Sequence, residues 1–409
     1  MRATMAQHQT PRRATRQRGV ILIALLAILG VGAIYLFLKQ LNASQLRTSR
    51  EQITTAALAQ AKEALVGYAI AYGDTHPGPP RPVHGYLPCP DPNGSLGVNP
   101  EGSSETCGGT DVNAVGRLPW KTIGLPVARD GNGECLWYAV SGAYKNNPPT
   151  SGQMNWDNNG TFQILAADGV TPLTSADNPA IAVIFSPGSA TATQDRSSAN
   201  APVCGGNYTA TNYLDNDTTH GINNADIATG QFIQPHEHRD ADGNVILTVN
   251  DRMTFITKDD IFPIVMRRSD FAAQVATFLD DASAQATLGG FSVFGTKGTG
   301  NINCATMTQP DFCNNWKEML FLTQLSVTSS ITIDGSVQLG CNSVLIFAGQ
   351  KISPGQVRIL AADKSNKANY LEGTNLAAFN APIAHATNFS GSSAFSASNP
   401  SADLVRCLP

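Results

Sequence analysis

The longest apolar run of the chain lies near its amino terminus. Val20 to Leu38 contain no charged residue and no proline, and five arginines but no acidic residue precede them. At 1.5 Å per residue, a helix of this length spans about 30 Å, the hydrocarbon thickness of a bilayer. The run therefore predicts a single transmembrane helix. The basic flank predicts a cytoplasmic amino terminus and a periplasmic bulk.

The helical pattern continues past this run. Between Leu41 and Tyr72 there is no proline, and apolar residues recur every three or four positions. The stripe consists of Ile53, Ala57, Ala61, Leu65, Tyr68 and Tyr72. A proline- and glycine-rich stretch then ends the helix. The predicted organisation is a basic leader over 1–19, a long helix over 20–72, and a globular region over 73–409 of one or two subdomains.

Short β-branched or apolar runs, separated by turn residues, dominate the globular region and predict strands. These runs are Cys135–Val140, Thr161–Leu165, Ala180–Phe185, Val245–Val249, Met253–Thr257, Ser330–Leu339, Ser343–Phe347 and Gln356–Leu360. One helix is predicted after Thr257, because Asp259 and Asp260 follow this capping residue. The predicted fold class is α+β, with a long amino-terminal transmembrane and amphipathic helix before a large, mainly β, disulfide-bearing domain.

The amino-terminal features together resemble the class III signal of type IV pilins and type II secretion pseudopilins. They are the basic leader, Gly19 directly before the apolar run, and the continuation of that run as an amphipathic helix. The resemblance implies cleavage between Gly19 and Val20 by a prepilin peptidase, with methylation of the new amino terminus. Most pilins carry glutamate at the fifth mature position, where this chain has Ala24. In this it is similar to the K-type minor pseudopilin, a tip subunit with a large globular domain.

A second resemblance covers Ala61 to Ser141. The motifs AKEALVGYAIAYG, YLPCPDPNG and GRLPWKTIGLPVARDGNGECLWYAVS are similar to those of a group of large prepilin-like proteins. The implied function is a non-enzymatic minor pilin or pseudopilin that assembles through its helix into a type IV pilus or type II secretion filament, at the tip. The implied partners are prepilin peptidase, other pilins or pseudopilins, the inner membrane, and a secretion cargo or surface receptor. The implied location is the bacterial inner membrane or an extracellular filament.

Two other classes of function stay open. An exported adhesin or binding protein on an ordinary signal anchor has the same basic flank and apolar run. An anchored periplasmic hydrolase requires a catalytic site, and the best local candidate holds His236 and His238. Their spacing is H-x-H and not the helical HExxH of zinc proteases, which favours a polar surface loop. The net charge of −4 argues against nucleic acid as a partner.

All eight cysteines follow the apolar run, and export predicts that they form disulfides. Cys304 with Cys313 closes a short loop, and Cys341 with Cys407 secures the carboxyl terminus. Cys89 with Cys107 is the third predicted pair. Because no CxxC occurs, the cysteines do not indicate zinc.

Calcium is the cofactor that the loop sequences favour. Asp240, Asp242 and Asn244 place oxygen ligands at alternate positions, with Gly243 for the turn. The same string is also ordinary turn chemistry, so both interpretations stay open. Among the aromatic residues, Trp156 lies in the polar stretch MNWDNNG and is predicted to occupy a surface loop.

Overall fold

A helix of 58 residues, α1 (Arg18–Thr75), begins the part of the chain that the computed structural model describes. The described residues are 18–76, 83–92, 100–197, 201–287, 302–380 and 389–409. Most of the predicted leader therefore lies outside them. The chain divides into two compact units, the first ending at Ile53 and the second comprising Thr54–Pro409.

The predicted transmembrane helix is wrong. No helix within the described residues is long and apolar enough to cross a membrane. The fold class is thus corrected to α+β with a mainly β globular unit and four disulfides, and without the apolar membrane helix.

The second half of α1 belongs to the core of the globular unit. Leu58, Ala61, Leu65 and Ala69 recur every three or four residues, so they share one face of the helix, and all four are buried. Ion pairs also connect this half of α1 to the rest of the globular unit. One of them joins Lys62 Nζ and Asp260 Oδ1 at 2.9 Å. Packing of this face explains why the second unit begins inside α1 and not at its end.

The remaining regular structure is mostly β. The strands in the described residues are β1 (Ala114–Arg117), β2 (Trp137–Val140), β3 (Gln163–Leu165), β4 (Ala180–Ser186), β5 (Asn216–Asp217), β6 (Ile222–Asn223), β7 (Gln231–Ile233), β8 (His236–Arg239), β9 (Val245–Val249), β10 (Arg252–Thr257), β11 (Leu320–Ile333), β12 (Ser336–Phe347), β13 (Ser390–Gly391) and β14 (Leu404–Leu408). One four-stranded sheet has the order β1-β2-β4-β10, and another has the order β13-β11-β12-β14. The pairs β3-β7, β5-β6 and β8-β9 form small two-stranded sheets.

Short helices complete the globular unit. They are α2 (Lys258–Val265), α3 (Phe271–Thr287), α4 (Pro310–Trp316), α5 (Ala361–Ser365) and α6 (Gly373–Asn380), with 3-10 turns at Ala210–Asn212, Cys304–Thr306, Lys317–Met319 and Lys367–Asn369. The predicted helix after Thr257 is present as α2. Its first turn is stabilised because the Asp260 carboxylate accepts a hydrogen bond of 2.8 Å from the Thr257 backbone N–H.

Trp156 is part of the core, which corrects its predicted place on a surface loop. Its side chain is 2% exposed, and its ring lies edge-on to that of Trp316, with 4.6 Å between the ring centroids. Phe271 and Phe347 also contact this ring. The polar neighbours of Trp156 in sequence do not prevent its burial, because Asn155 and Asp157 are themselves buried and hydrogen-bonded.

Candidate functional site

The first half of α1 exposes a dense set of large apolar side chains, which we call the helix collar. It consists of Leu25, Leu26, Ile28, Leu29 and Val31, whose exposed fractions lie between 53% and 73%. At about 100° per residue, these five positions extend around more than half of the helix circumference. A contiguous exposed apolar surface of this kind marks an interaction site. Because the collar faces several directions, one flat partner surface cannot cover it.

A groove of about 840 Å³ in the globular unit lies beside the second half of α1. Leu58, Val66 and Ile70 of α1 line one wall, and Met253 of β10 and Ile264 of α2 line the other. Charged side chains also line the groove. An apolar floor with a charged rim is typical of a groove that accepts an amphipathic helix.

Four disulfides cross-link the globular unit. They join Cys89 to Cys107, Cys135 to Cys204, Cys304 to Cys313, and Cys341 to Cys407. Three of them connect the cysteines that were paired from the sequence, and Cys135–Cys204 is the additional bond. Disulfides of this number are typical of an oxidising, extracytoplasmic compartment.

The predicted calcium loop forms the turn between β8 and β9. The Asp240 carboxylate accepts hydrogen bonds from the backbone N–H groups of Asp242, at 3.0 Å, and Asn244, at 2.8 Å. The pKa of Asp240 is below its usual value, and the hydrogen bonds from Asn244 contribute most to this lowering. The Asn244 side-chain amide also donates to this carboxylate, at 3.2 Å. The carboxylate of Asp240 thus closes the turn, and calcium binding there stays a prediction.

A separate cluster of ligating side chains forms where two small hairpins meet. Asp217 ends β5, His220 lies in the turn between β5 and β6, and His236 begins β8. One ligand atom from each of the three side chains lies within 4.8 Å of the others. Within the described residues, this is the one group of three His, Cys or acidic side chains so close together.

Asp217 is the centre of this cluster. Its side chain is fully buried, and its Oδ2 lies 2.5 Å from Nδ1 of His220 and 3.3 Å from Nε2 of His236. The backbone N–H of Thr219 donates to the other oxygen, Oδ1, at 2.9 Å. Burial raises the pKa of Asp217, but the hydrogen bonds from His220 and Thr219 outweigh it and hold the pKa below its usual range. The carboxylate is therefore kept ionised.

The other site residues predicted from the sequence are not members of this cluster. Gly19 and Val20 lie in the first turn of α1, and the side chains of Val20 and Ala24 are outside the described ones. His238 is exposed on β8 and is not part of the cluster. The sequence pattern indicated His236 together with its neighbour His238 as a candidate site, and it did not indicate Asp217 or His220. Their D-x-x-H spacing is the signal that could have found them.

Comparison with known proteins adds no relative. No protein-family model, curated protein or solved structure matches this chain.

Proposed function

We propose that this chain is an exported, pilin-like minor subunit that enters a type IV pilus or type II secretion filament through α1. The helix collar is the observation that carries the proposal. Large apolar side chains at 53–73% exposure lie around more than half of the helix, and water is an unfavourable environment for them. A bundle of helices from neighbouring subunits would cover the collar on several sides at once. Filament subunits of the pilin family pack in this way.

The proportions of the chain favour a minor subunit. α1 provides one long packing element, whereas the globular unit, Thr54–Pro409, is several times larger than the collar region. A large unit is hard to accommodate at every position of a tightly wound filament. A terminal position imposes no such limit, and it leaves the globular surface accessible to a cargo or receptor.

The groove beside α1 supplies a second contact in the same proposal. Its occupant would be the amphipathic helix of an adjacent subunit, because apolar side chains and charged side chains line the groove together. Val66 lies on its α1 wall and is half-buried. A charge at this position would face apolar groups in the assembled filament and water in the free subunit.

Arginine substitutions test both contacts. Leu26→Arg in the collar and Val66→Arg in the groove are expected to reduce the amount of the chain in purified filaments by about tenfold or more, since burial of an unpaired charge costs several kcal/mol. The measurement is the ratio of this chain to the major subunit in sheared filaments, by quantitative mass spectrometry. Val170→Arg is the matched control, because Val170 is 76% exposed and lies outside both surfaces.

Folding is monitored in the same samples by far-UV circular dichroism and by the mass of the fully disulfide-bonded chain. The proposal expects Val170→Arg to enter filaments at the wild-type level. Equal incorporation of the two test variants and the control would contradict it. Complete absence of the wild-type chain from filaments would contradict it too, and would favour an exported binding protein.

A further inference from the structure

A hydrogen bond to the backbone sets the tautomer of His236. Nδ1 lies 3.0 Å from the backbone carbonyl oxygen of Gln234, which can only accept, so Nδ1 carries a proton. In the neutral imidazole, Nε2 then carries a lone pair. This lone pair faces Asp217 Oδ2 at 3.3 Å, and no donor among the described residues reaches it. A nitrogen lone pair and a carboxylate oxygen that face each other in a buried site form an arrangement that a bound cation would satisfy.

The His236 side chain is 90% buried, with an exposed fraction of 10%, and the carboxylate that it faces is fully buried. Solvent therefore cannot satisfy Nε2. His220 completes the arrangement from the surface side, where its side chain is 27% exposed and its ring lies at 68° to that of His236. A cation would reach the site past His220.

We propose that Asp217, His220 and His236 bind a divalent transition metal ion of the zinc class. Ligand atoms about 2.0–2.1 Å from a tetrahedral ion lie about 3.3 Å apart, which is the separation of Asp217 Oδ2 and His236 Nε2. His220 Nδ1 is closer to the carboxylate, at 2.5 Å, because it donates a proton to it. Metal binding would replace this proton, so that the His220 nitrogen and the Asp217 oxygen would separate to the spacing of two ligands of one ion.

The surroundings hold the three ligands in place. The carbonyl of Gln234 fixes the tautomer of His236, which is the usual outer-shell contact of a metal-binding histidine. The Asp217 carboxylate is oriented by the backbone N–H of Thr219. His220 packs over Gly169, where a Cβ atom would lie 2.4 Å from the imidazole Cγ. The ring position therefore depends on glycine at 169.

The donor set selects the class of metal. Two imidazoles and one carboxylate suit zinc and its neighbours in the first transition row, whereas calcium requires six to eight oxygen ligands. Three protein ligands leave a fourth position of a tetrahedral ion for water or for a ligand from another molecule. None of the three ligands lines the groove proposed above as a filament contact, although Gln234, whose carbonyl holds His236, does line it.

Zinc titration of the full chain tests the proposal. The chain is purified without an oligohistidine tag and freed of metal with a chelator, and Zn²⁺ binding is measured by isothermal titration calorimetry. The wild type is expected to bind one ion at this site, and His220→Ala and His236→Ala to weaken its affinity by about 100-fold or more. Asp217→Asn should have the same effect. His238→Ala is the matched control from the same strand and should bind as the wild type does.

Wild-type binding that is unchanged in His220→Ala and His236→Ala would overturn the assignment, as would the absence of zinc binding to the wild type. A loss in His238→Ala as large as that in His236→Ala would overturn it as well, and would assign the ion to the H-x-H pair. His220→Ala keeps the test decisive if Asp217→Asn does not fold, since His220 lies in an exposed turn. Far-UV circular dichroism of each variant records the fold.

Discussion

Asp403 shows how burial changes the chemistry of a single residue. Its side chain is 5% exposed, and the Asn375 amide donates to Oδ2 at 2.9 Å. Burial is the main cause that raises its pKa to about 7, and the nearby carboxyl of Glu372 raises it further. The folded chain therefore holds a proton on Asp403 at pH values where the unfolded chain has released it.

This shift predicts a pH dependence of stability. The stabilisation from the bound proton is complete below the usual carboxyl pKa of about 4 and is lost as the pH rises through about 7. As the pH rises from about 5 to about 7.5, deprotonation of Asp403 should lower the free energy of unfolding by about 2 kcal/mol. Urea denaturation of the wild type and of Asp403→Asn at both pH values measures it. If both proteins lose the same stability over this range, the account of Asp403 is wrong.

Single residues were the least predictable part of the candidate site. His236 stood out in the sequence, but its partners Asp217 and His220 come from a different hairpin. Only the tertiary structure brings Asp217 Oδ2 to 3.3 Å from His236 Nε2 and the His220 ring to a centroid separation of 5.6 Å from the His236 ring. Polar residues also misled the prediction at Trp156. Local polarity indicates exposure only where the polar groups remain in water, and Asp157 instead forms a buried ion pair with Arg358, at 2.9 Å.

Among the elements, the hairpin of β11 and β12 has a turn that requires glycine. Asp334 and Gly335 connect the strands with φ values of 49° and 73°, which is the geometry of a type I′ turn. The sequence prediction treated Ser330–Leu339 as one strand, because β-branched and apolar residues occur on both sides of this pair. The Asp-Gly dipeptide within that run is a strong hairpin signal and should have divided it.

Gly335→Ala is expected to destabilise the chain by about 1 kcal/mol, because a side chain at positive φ is strained. No atom lies within 4 Å of the added Cβ, so backbone strain and not a clash causes the loss. The measurement is the midpoint of urea denaturation. Gly355→Ala is the control, because its Cβ would make only ordinary contacts and its φ is not in the left-handed region. Equal midpoints for the two variants would refute this description of the turn.

Helix α1 shows which part of an element a periodic pattern determines. Ala61 and Leu65 belong both to the predicted stripe and to the observed buried face. The buried face also contains Leu58 and Ala69, which the predicted stripe lacks, whereas Ile53 of the predicted stripe is 50% exposed. Helical periodicity located the element and its end near Thr75. It did not determine which of two neighbouring faces is buried, since apolar residues lie on both and only packing into the hydrophobic core selects one.

At the scale of the whole molecule, composition and cysteine placement were the most informative signals. The mainly β globular unit and the disulfides follow from short β-branched runs and from cysteines confined to the part after the apolar run. The sheet order could not be derived, because β10 joins β4 from a distant part of the sequence. The membrane-spanning prediction was wrong, since no helix of the described residues is long and apolar enough to cross a membrane.

The central claim is the proposal that the chain is a filament subunit, and the resemblance of its amino-terminal sequence to pilin signals adds the expectation that it is processed at Gly19. Mass spectrometry and amino-terminal sequencing of the full chain, produced with and without a prepilin peptidase, test this claim most directly. Gly19→Ala serves as the variant that blocks cleavage. Gly67→Ala serves as its control, because Gly67 also lies in α1 and no atom lies within 4 Å of the added Cβ. The account predicts a peptidase-dependent product that begins at methylated Val20 in the wild type and in Gly67→Ala, and none in Gly19→Ala. An unprocessed amino terminus in the wild type with the peptidase present would contradict it.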